Sequence, residues 1–310
     1  MGKIAFLFSG QGAQHPGMSK ELCDRSPAAR RVFDLAGEVL GWDVAELCFH
    51  GAKENLDLTR NTQPCMLAAD LAAWAAVTEQ GLRPDAVAGF SLGEYAALTA
   101  AGVLDMGDVF RMIEIRADAM QRAVPPGRGA MAAVMKLSLP EVETLCGEAG
   151  GYVVPANLNS PVQIVVAGET ETVDRLLTLT KERKIRAVRL PVSVPSHCGL
   201  MEPARAELEE TFRAVRFRDA SVPVYMNVDG KVHREAEDIR QCLLRQLVSP
   251  VRWVDTVTAL TELGVDRFLE LGVGRTLESF VKKTAPQAAA CHVEDPETLE
   301  EAMVSFQVRQ

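Results

Sequence analysis

Residues 85–102 read DAVAGFSLGEYAALTAAG. Within them Gly89, Phe90, Ser91, Leu92 and Gly93 spell G-x-S-x-G, the pattern that holds a serine on a sharp strand-to-helix turn. Ala86, Val87 and Ala88 supply a short apolar strand before the turn, and Tyr95 to Ala101 begin a helix of small residues after it. The two glycines tolerate close backbone approach at the corner. Ser91 is therefore expected at the carboxyl end of a strand and above the amino terminus of a helix, where developing negative charge is favoured. Such a position suits a nucleophile.

A serine hydroxyl needs a base to take its proton, and histidine titrates closest to neutrality. Five histidines are present. His50, His233 and His292 sit in loop-like or polar surroundings or near the end of the chain, and read as surface or capping residues. His15 follows GQGAQ and could line a loop. His197, in PVSVPSHCGLM, comes directly after a predicted strand and is the best-placed base; Cys198 beside it reads as a buried thiol. The loop Ser9 to Gln14 follows the first predicted strand, so its backbone can offer an N–H at the sheet's carboxyl edge. The residue after the nucleophile, Leu92, offers a second, and two such donors make an oxyanion hole. GQGAQH and GVGRTL each lack the third glycine of a dinucleotide loop.

Arg116 stands out by spacing. In a helix predicted from Asp108 to Arg122, Val109, Met112, Ile113 and Met120 share one face, and Arg116 lies in its middle. A desolvated guanidinium needs an anion, supplied either by an internal carboxylate or by a ligand. Arg111 and Arg122 on the opposite face read as surface charges paired with Glu114 and Asp118.

The elements that must position these groups alternate between strand and helix. Short apolar runs at 3–8, 85–91, 222–226 and 266–271 predict strands, separated by longer stretches of helical period, which indicates an α/β fold with a mainly parallel sheet. Between 127 and 191 the predicted order becomes strand, helix, strand, strand, helix, strand (130–135, 139–148, 152–156, 163–167, 170–182, 185–190). That is the ferredoxin-like order. It suggests an inserted small subdomain at 127–191 and a large subdomain split into 1–126 and 192–310, with proline and glycine clusters at the junctions.

Composition narrows the function classes. With 310 residues, 47% hydrophobic and 24% charged, the chain can bury a sizeable core. A formal net charge of -9 argues against nucleic acid or an anionic membrane as partner. The seven cysteines are never at C-x-x-C spacing, so neither a disulfide framework nor a zinc knuckle is indicated, and no metal site is expected. Residues 1–8 lack the features of a signal peptide, and the apolar stretch 66–77 is interrupted by Asp70 and too short to span a bilayer. A cytoplasmic location is the expectation.

Seven ordered motifs carry a resemblance that runs almost from end to end. They are LFSGQGAQ at 7–14, NTQP at 61–64, GFSLGEY at 89–95, Arg116, ANLNSPVQIVVAG at 156–168, LPVSVPSHCGLM at 190–201 and RQLVSPVRW at 245–253. Together they resemble the bacterial malonyl-coenzyme A:acyl carrier protein transacylases. The resemblance implies a hydrolase-like large subdomain carrying the site in a cleft with the ferredoxin-like one. It implies Ser91 as acyl-accepting nucleophile, His197 as base, and the main-chain N–H groups of Gln11 and Leu92 as oxyanion hole. It further implies Arg116 as clamp on the malonyl carboxylate, Asn157 and Ser196 as substrate-binding residues, and the main-chain carbonyl of Gln246 as the group that orients His197. Malonyl-coenzyme A is the implied substrate, no cofactor is implied, and acyl carrier protein is the implied partner. Lys181, Arg183, Lys184, Arg186 and Arg189, or Arg275, Lys282 and Lys283, are candidate docking patches for it.

Two positions depart from the family pattern. Phe90 replaces the usual histidine before the nucleophile, which removes a polar donor and relaxes the expected malonyl selectivity, and Val273 stands where proline is usual. A small Ser196 would tolerate a substituted malonyl group. Alternative functions on the same residues are a free-standing polyketide acyltransferase, an acyl-editing hydrolase, or a catalytically silent carrier-binding component of a synthase.

Overall fold

The structure, a computed structural model, describes residues 2–192 and 194–307. Met1, Ser193 and residues 308–310, which belong to the expected large subdomain, lie outside the described residues. The chain opens with β1 (Lys3–Phe8), followed by α1 (Lys20–Arg25), α2 (Pro27–Leu40), α3 (Val44–His50), α4 (Lys53–Leu56) and α5 (Thr59–Glu79). Next come β2 (Ala86–Gly89), α6 (Gly93–Ala100) and α7 (Met106–Ala123). A middle segment holds β3 (Gly129–Met135), α8 (Leu139–Ala149), β4 (Val153–Ser160), β5 (Gln163–Glu169), α9 (Thr170–Glu182) and β6 (Ala187–Arg189). After a 3-10 turn at Gly199–Met201 come α10 (Glu202–Ala214), β7 (Val224–Tyr225), β8 (Val232–His233) and α11 (Ala236–Arg245). A second 3-10 turn, Gln246–Val248, leads to α12 (Trp253–Glu262), β9 (Val265–Leu271), α13 (Thr276–Thr284), β10 (Ala289–Val293) and α14 (Pro296–Gln307).

Two sheets result. The larger has the order β10-β9-β1-β2-β7-β8 and is parallel except for the edge hairpin β7–β8. Because helices cover both faces of a parallel sheet, its central strands are apolar throughout rather than alternating. In β1, Phe6 and Phe8 enter a core shared with α2, α5 and α7, while Ala5 and Leu7 pack on the opposite side with Trp253, Val257, Phe268 and Phe280. Either face alone would leave half of this strand in water.

The smaller sheet is antiparallel, with the order β4-β5-β3-β6, as the ferredoxin-like pattern requires. Its strands alternate in earnest. Ala132 and Val134 face α8 and α9, whereas Met131 and Ala133 face Cys198 and the segment after β6. A parallel bridge between Asn157 and Val251 joins this sheet to the segment that precedes α12, through Leu158 N–H to Val251 O (2.8 Å) and Val251 N–H to Ala156 O (2.9 Å). The α/β fold class with its separate antiparallel unit thus agrees with the sequence reading.

Several local expectations need correction. The strand expected over 222–226 shrinks to Val224–Tyr225, because the chain then turns back into β8, which the sequence did not signal. His292 is half-buried in β10 against Glu278, and His233 is half-buried in β8 against Asp229, so neither is a plain surface residue. Arg111 pairs with Asp108 and Arg122 with Glu207, not with Glu114 and Asp118. Among the described residues no helix is long and apolar enough to cross a membrane.

Candidate active site

Ser91 sits where β2 ends and α6 begins, at φ 54°, a left-handed value costly for a residue with a side chain. The turn is this tight because both flanking glycines are in backbone contact. A Cβ on Gly89 would lie 2.0 Å from the Gly93 carbonyl group, and one on Gly93 would lie 2.2 Å from Phe8 O. Asn227, just after β7, braces the corner. Its Oδ1 accepts from Ser91 N (2.7 Å), its Nδ2 donates to Gly89 O (2.6 Å), and its own N–H donates to Glu94 Oε1 (2.6 Å).

His197 reaches the serine from a segment that follows the small sheet. Its Nε2 is 2.7 Å from Ser91 Oγ, and its Nδ1 is 2.9 Å from Gln246 O. Since a carbonyl only accepts, Nδ1 carries the proton and Nε2 is left as an acceptor for the serine hydroxyl. His197 is itself held at φ 61°. Burial, with Arg116 adding to it, brings its pKa down to about 4 against the raising effect of the Gln246 carbonyl. The imidazole is therefore neutral at physiological pH, as a base must be.

Arg116, 1% exposed on α7, completes the group. Its Nη1 donates to Gln63 Oε1 (2.6 Å), and its Nη2 to Ser91 Oγ (3.1 Å) and Gln246 Oε1 (3.2 Å). The guanidinium lies over the Tyr95 ring, 5.5 Å from its centroid, and Nε has no partner. Among the described residues no carboxylate forms an ion pair with it. Of the two anion sources open from the sequence, the internal one is thus not in place. Glu94 lies close by, but its oxygens accept from Asn227 N and Gln246 Nε2, and burial pushes its pKa up to about 8.

Gln246 does more than accept from His197 through its main chain. Fully buried, it also donates from Nε2 to Ser91 O (2.8 Å) and to Glu94 Oε2 (2.7 Å), so this one residue ties Ser91, His197 and the Arg116 guanidinium together. The Leu92 and Gln11 main-chain N–H groups have no acceptor among the described residues. Leu92 caps the amino terminus of α6, and Gln11 lies in the exposed turn after β1. Two unpaired donors beside a strand end can receive an oxyanion.

The remaining predicted positions divide. Asn157 is buried at the β4 bridge, and its side chain bonds to none of the described residues, which leaves its amide available to a ligand. Ser196 turns its hydroxyl to Met131 Sδ (3.5 Å). Phe90 points away from the polar cluster, its ring packed on Trp253 and Phe280 at 5.4 and 6.2 Å. His15 and His50 do not join the cluster. Sequence reasoning missed Gln63, Glu94, Asn227 and the Gln246 side chain. For Glu94 and Asn227 the signal was a polar residue in an otherwise apolar run, as in LGEYAA and VYMNV; Gln63 and Gln246, beside other polar residues in RNTQP and LLRQL, gave none.

Chemically, a serine hydroxyl bonded to a neutral imidazole, with two idle amides and a guanidinium that has no ion-pair partner among the described residues, can accept an acyl group that carries a carboxylate. Comparison with known proteins agrees. The profile of the acyl transferase domain family matches residues 5–299. The chain is 44% identical over 307 residues to a malonyl CoA-acyl carrier protein transacylase of Bacillus subtilis, covering 98% of this chain and 97% of that one. It is 39% identical to that of Escherichia coli K12, covering 98% and 99%. Among solved structures, an acyl carrier protein S-malonyltransferase of Vibrio cholerae superposes with a TM-score of 0.93 at 40% identity, covering 97% and 99%. A malonyl transacylase in complex with a type II polyketide-synthase acyl carrier protein superposes at 0.95 with 42% identity, covering 98% and 99%.

Proposed function

This chain belongs to the acyl transferase domain family, and on that premise we propose that it moves a malonyl group from malonyl-coenzyme A to the phosphopantetheine thiol of acyl carrier protein, supplying fatty acid synthesis. The observation that carries the reading is the meeting of three groups at one oxygen: Ser91 Oγ lies 2.7 Å from His197 Nε2 and 3.1 Å from Arg116 Nη2.

Malonyl-coenzyme A enters the cleft with its carboxylate on the Arg116 guanidinium. One methylene separates that carboxylate from the thioester carbonyl, so a cation adjacent to the nucleophile is within its reach. Ser91 Oγ attacks the carbonyl carbon while His197 Nε2 takes the hydroxyl proton, and the oxyanion faces the Gln11 and Leu92 N–H groups. Collapse breaks the carbon–sulfur bond. The proton on Nε2 passes to the departing coenzyme A sulfur, leaving a malonyl-serine ester. The carrier thiol then gives its proton to His197 and attacks the ester, and Ser91 leaves with that proton. No carboxylate is needed behind the histidine, because the Gln246 carbonyl fixes its tautomer.

Selectivity follows from desolvation. An acetyl group would leave Arg116 buried with no anion, forfeiting a charge-assisted pair worth about 1.5–3 kcal/mol. Asn157 supplies a further donor to the acyl unit. With its ring in the aromatic cluster, Phe90 offers the acyl group no polar donor.

Incubation with malonyl-coenzyme A and then with holo carrier protein tests transfer against hydrolysis. The acyl-enzyme is expected to discharge onto the carrier thiol, read as malonyl carrier by mass. Release of free malonate at the same rate with or without the carrier would instead make the protein a hydrolase.

A further inference from the structure

Away from the cleft, three side chains with metal-ligand chemistry converge on one point. Asp229 lies in the turn between β7 and β8, His233 ends β8, and Cys242 lies on α11. His233 Nε2 is 3.0 Å from Asp229 Oδ2 and 3.7 Å from Cys242 Sγ, and all three ligand atoms lie within 4.8 Å of one another. A single ring nitrogen faces both partners, so this is not a relay that works through opposite sides of an imidazole. It has the shape of a coordination site. In a tetrahedral zinc centre, bonds of about 2.0 Å to nitrogen and oxygen and about 2.3 Å to sulfur place nitrogen roughly 3.3 Å from oxygen and roughly 3.5 Å from sulfur. The two distances from His233 Nε2 differ from those edges by a few tenths of an ångström.

We propose that Asp229, His233 and Cys242 form a site for a thiophilic divalent cation of the zinc class, with solvent as its fourth ligand. Cys242 is buried, whereas the side chains of Asp229 and His233 are 30% and 18% exposed, so the ion has an entry path and an open fourth position on that side. On binding, the Cys242 thiol proton leaves to solvent as the sulfur–metal bond forms, and His233 binds as neutral imidazole through Nε2. Carboxylate and thiolate together balance the dication. Magnesium and calcium prefer all-oxygen shells, so a sulfur and an imidazole select against them. Arg245 Nη2, 3.6 Å from Sγ, is placed to keep an N–H···S bond to the metal-bound thiolate, and its exposed position lets it yield if the ion requires it.

The spacing D-x3-H-x8-C announces no metal in the sequence, since the three residues meet only because β8 folds back on β7 and α11 packs beside it. The location links the site to catalysis. Asp229 follows Asn227, which holds the Ser91 amide, by two residues, and Cys242 precedes Gln246, which holds His197, by four. Occupancy fastens together the two segments that position the dyad, without touching substrate.

Titration of the full-length chain with cobalt(II), followed by zinc displacement and native mass spectrometry, tests the site. Expected are one equivalent of metal per chain, the intense visible bands of tetrahedral cobalt, and a near-ultraviolet thiolate-to-metal band. Cys242→Ala should abolish that band, and both Cys242→Ala and His233→Ala should weaken binding at least tenfold while still forming the malonyl adduct that reports a folded site. A weak octahedral cobalt spectrum without the thiolate band in the unsubstituted chain overturns the proposal, independently of how either variant folds. So does binding that survives either substitution.

Discussion

Arg116 and His197 share one buried environment and respond to it in opposite ways. Desolvation disfavours the charged form of both, but guanidinium is too basic to give up its proton near neutrality, whereas imidazole yields its own. The site thus sets a permanent cation beside a neutral imidazole, which under the proposed function select the acyl group and take the serine proton respectively. A pH profile follows. The malonyl-loading kcat/KM is expected to stay flat as pH falls from 8 to about 5 and to drop only as His197 protonates near 4; a half-maximal point near 6.5 would show that the base is not held in this dry setting. The same shift bears on stability. The unfolded chain takes up a proton on this histidine below about 6.5 and the folded chain only below about 4, so stability falls as pH is lowered through that window, by up to about 3 kcal/mol. At this scale much was legible. Arg116 was visible as a charge on an apolar helix face, and Ser91 as the centre of a local pattern. Gln246 was legible only as a main-chain acceptor, because its side-chain partners Ser91, Glu94 and Arg116 lie more than a hundred residues away in sequence.

Elements decide whether those residues meet. β2 is four residues long and lies between β1 and β7, with Ala88 paired to Leu7 on one side and to Tyr225 on the other. That register delivers Asn227 to the turn at Ser91, and a strand as short as Val224–Tyr225 can do so because both of its residues are paired on either side, with Val87 and Ala88 in β2 and with β8. The left-handed backbone at Ser91 costs about 1–3 kcal/mol, and the Asn227 bonds to both ends of the turn are what hold it. Asn227→Ala is expected to lower kcat about 10- to 100-fold with little change in KM and to lower the thermal midpoint, since it leaves buried partners unpaired. Asn227→Asp, which keeps the acceptor for Ser91 N–H, should recover part of the rate. Equal rates for the alanine variant and the parent chain would remove the bracing role. Alternating patterns made β3 to β6 and their helices readable to within a few residues. The β7–β8 hairpin was not readable, because two-residue strands at a sheet edge are set by tertiary pairing rather than by any run of apolar residues.

The whole molecule carries a formal charge of -9, so attraction of an anionic surface on the proposed carrier partner would depend on local positive surface. In the segment around α9 and β6 all five cations are exposed, but Arg183 is engaged by Glu148 and Arg189 by Asp174, whereas Lys181, Lys184 and Arg186 have no ion-pair partner among the described residues. In the other patch Lys282 is engaged by Glu278 and Lys283 lies near the Phe280 ring, while Arg275 projects from the carboxyl end of β9, the same sheet edge as Ser91. Reversing charge at Lys184 together with Arg186, or at Arg275, should slow discharge to the carrier and flatten its salt dependence while leaving loading from malonyl-coenzyme A unchanged. If neither set alters carrier turnover, steering by these patches is excluded. All of this rests on one acyl-serine held by one guanidinium, and intact-mass analysis under competition reads it directly. With equal malonyl- and acetyl-coenzyme A, the parent chain should carry a malonyl adduct that peptide mapping assigns to Ser91, and Arg116→Ala should load malonyl about 10- to 100-fold more slowly and lose its preference over acetyl. An adduct on another residue, or a malonyl preference unchanged in Arg116→Ala, would contradict the account.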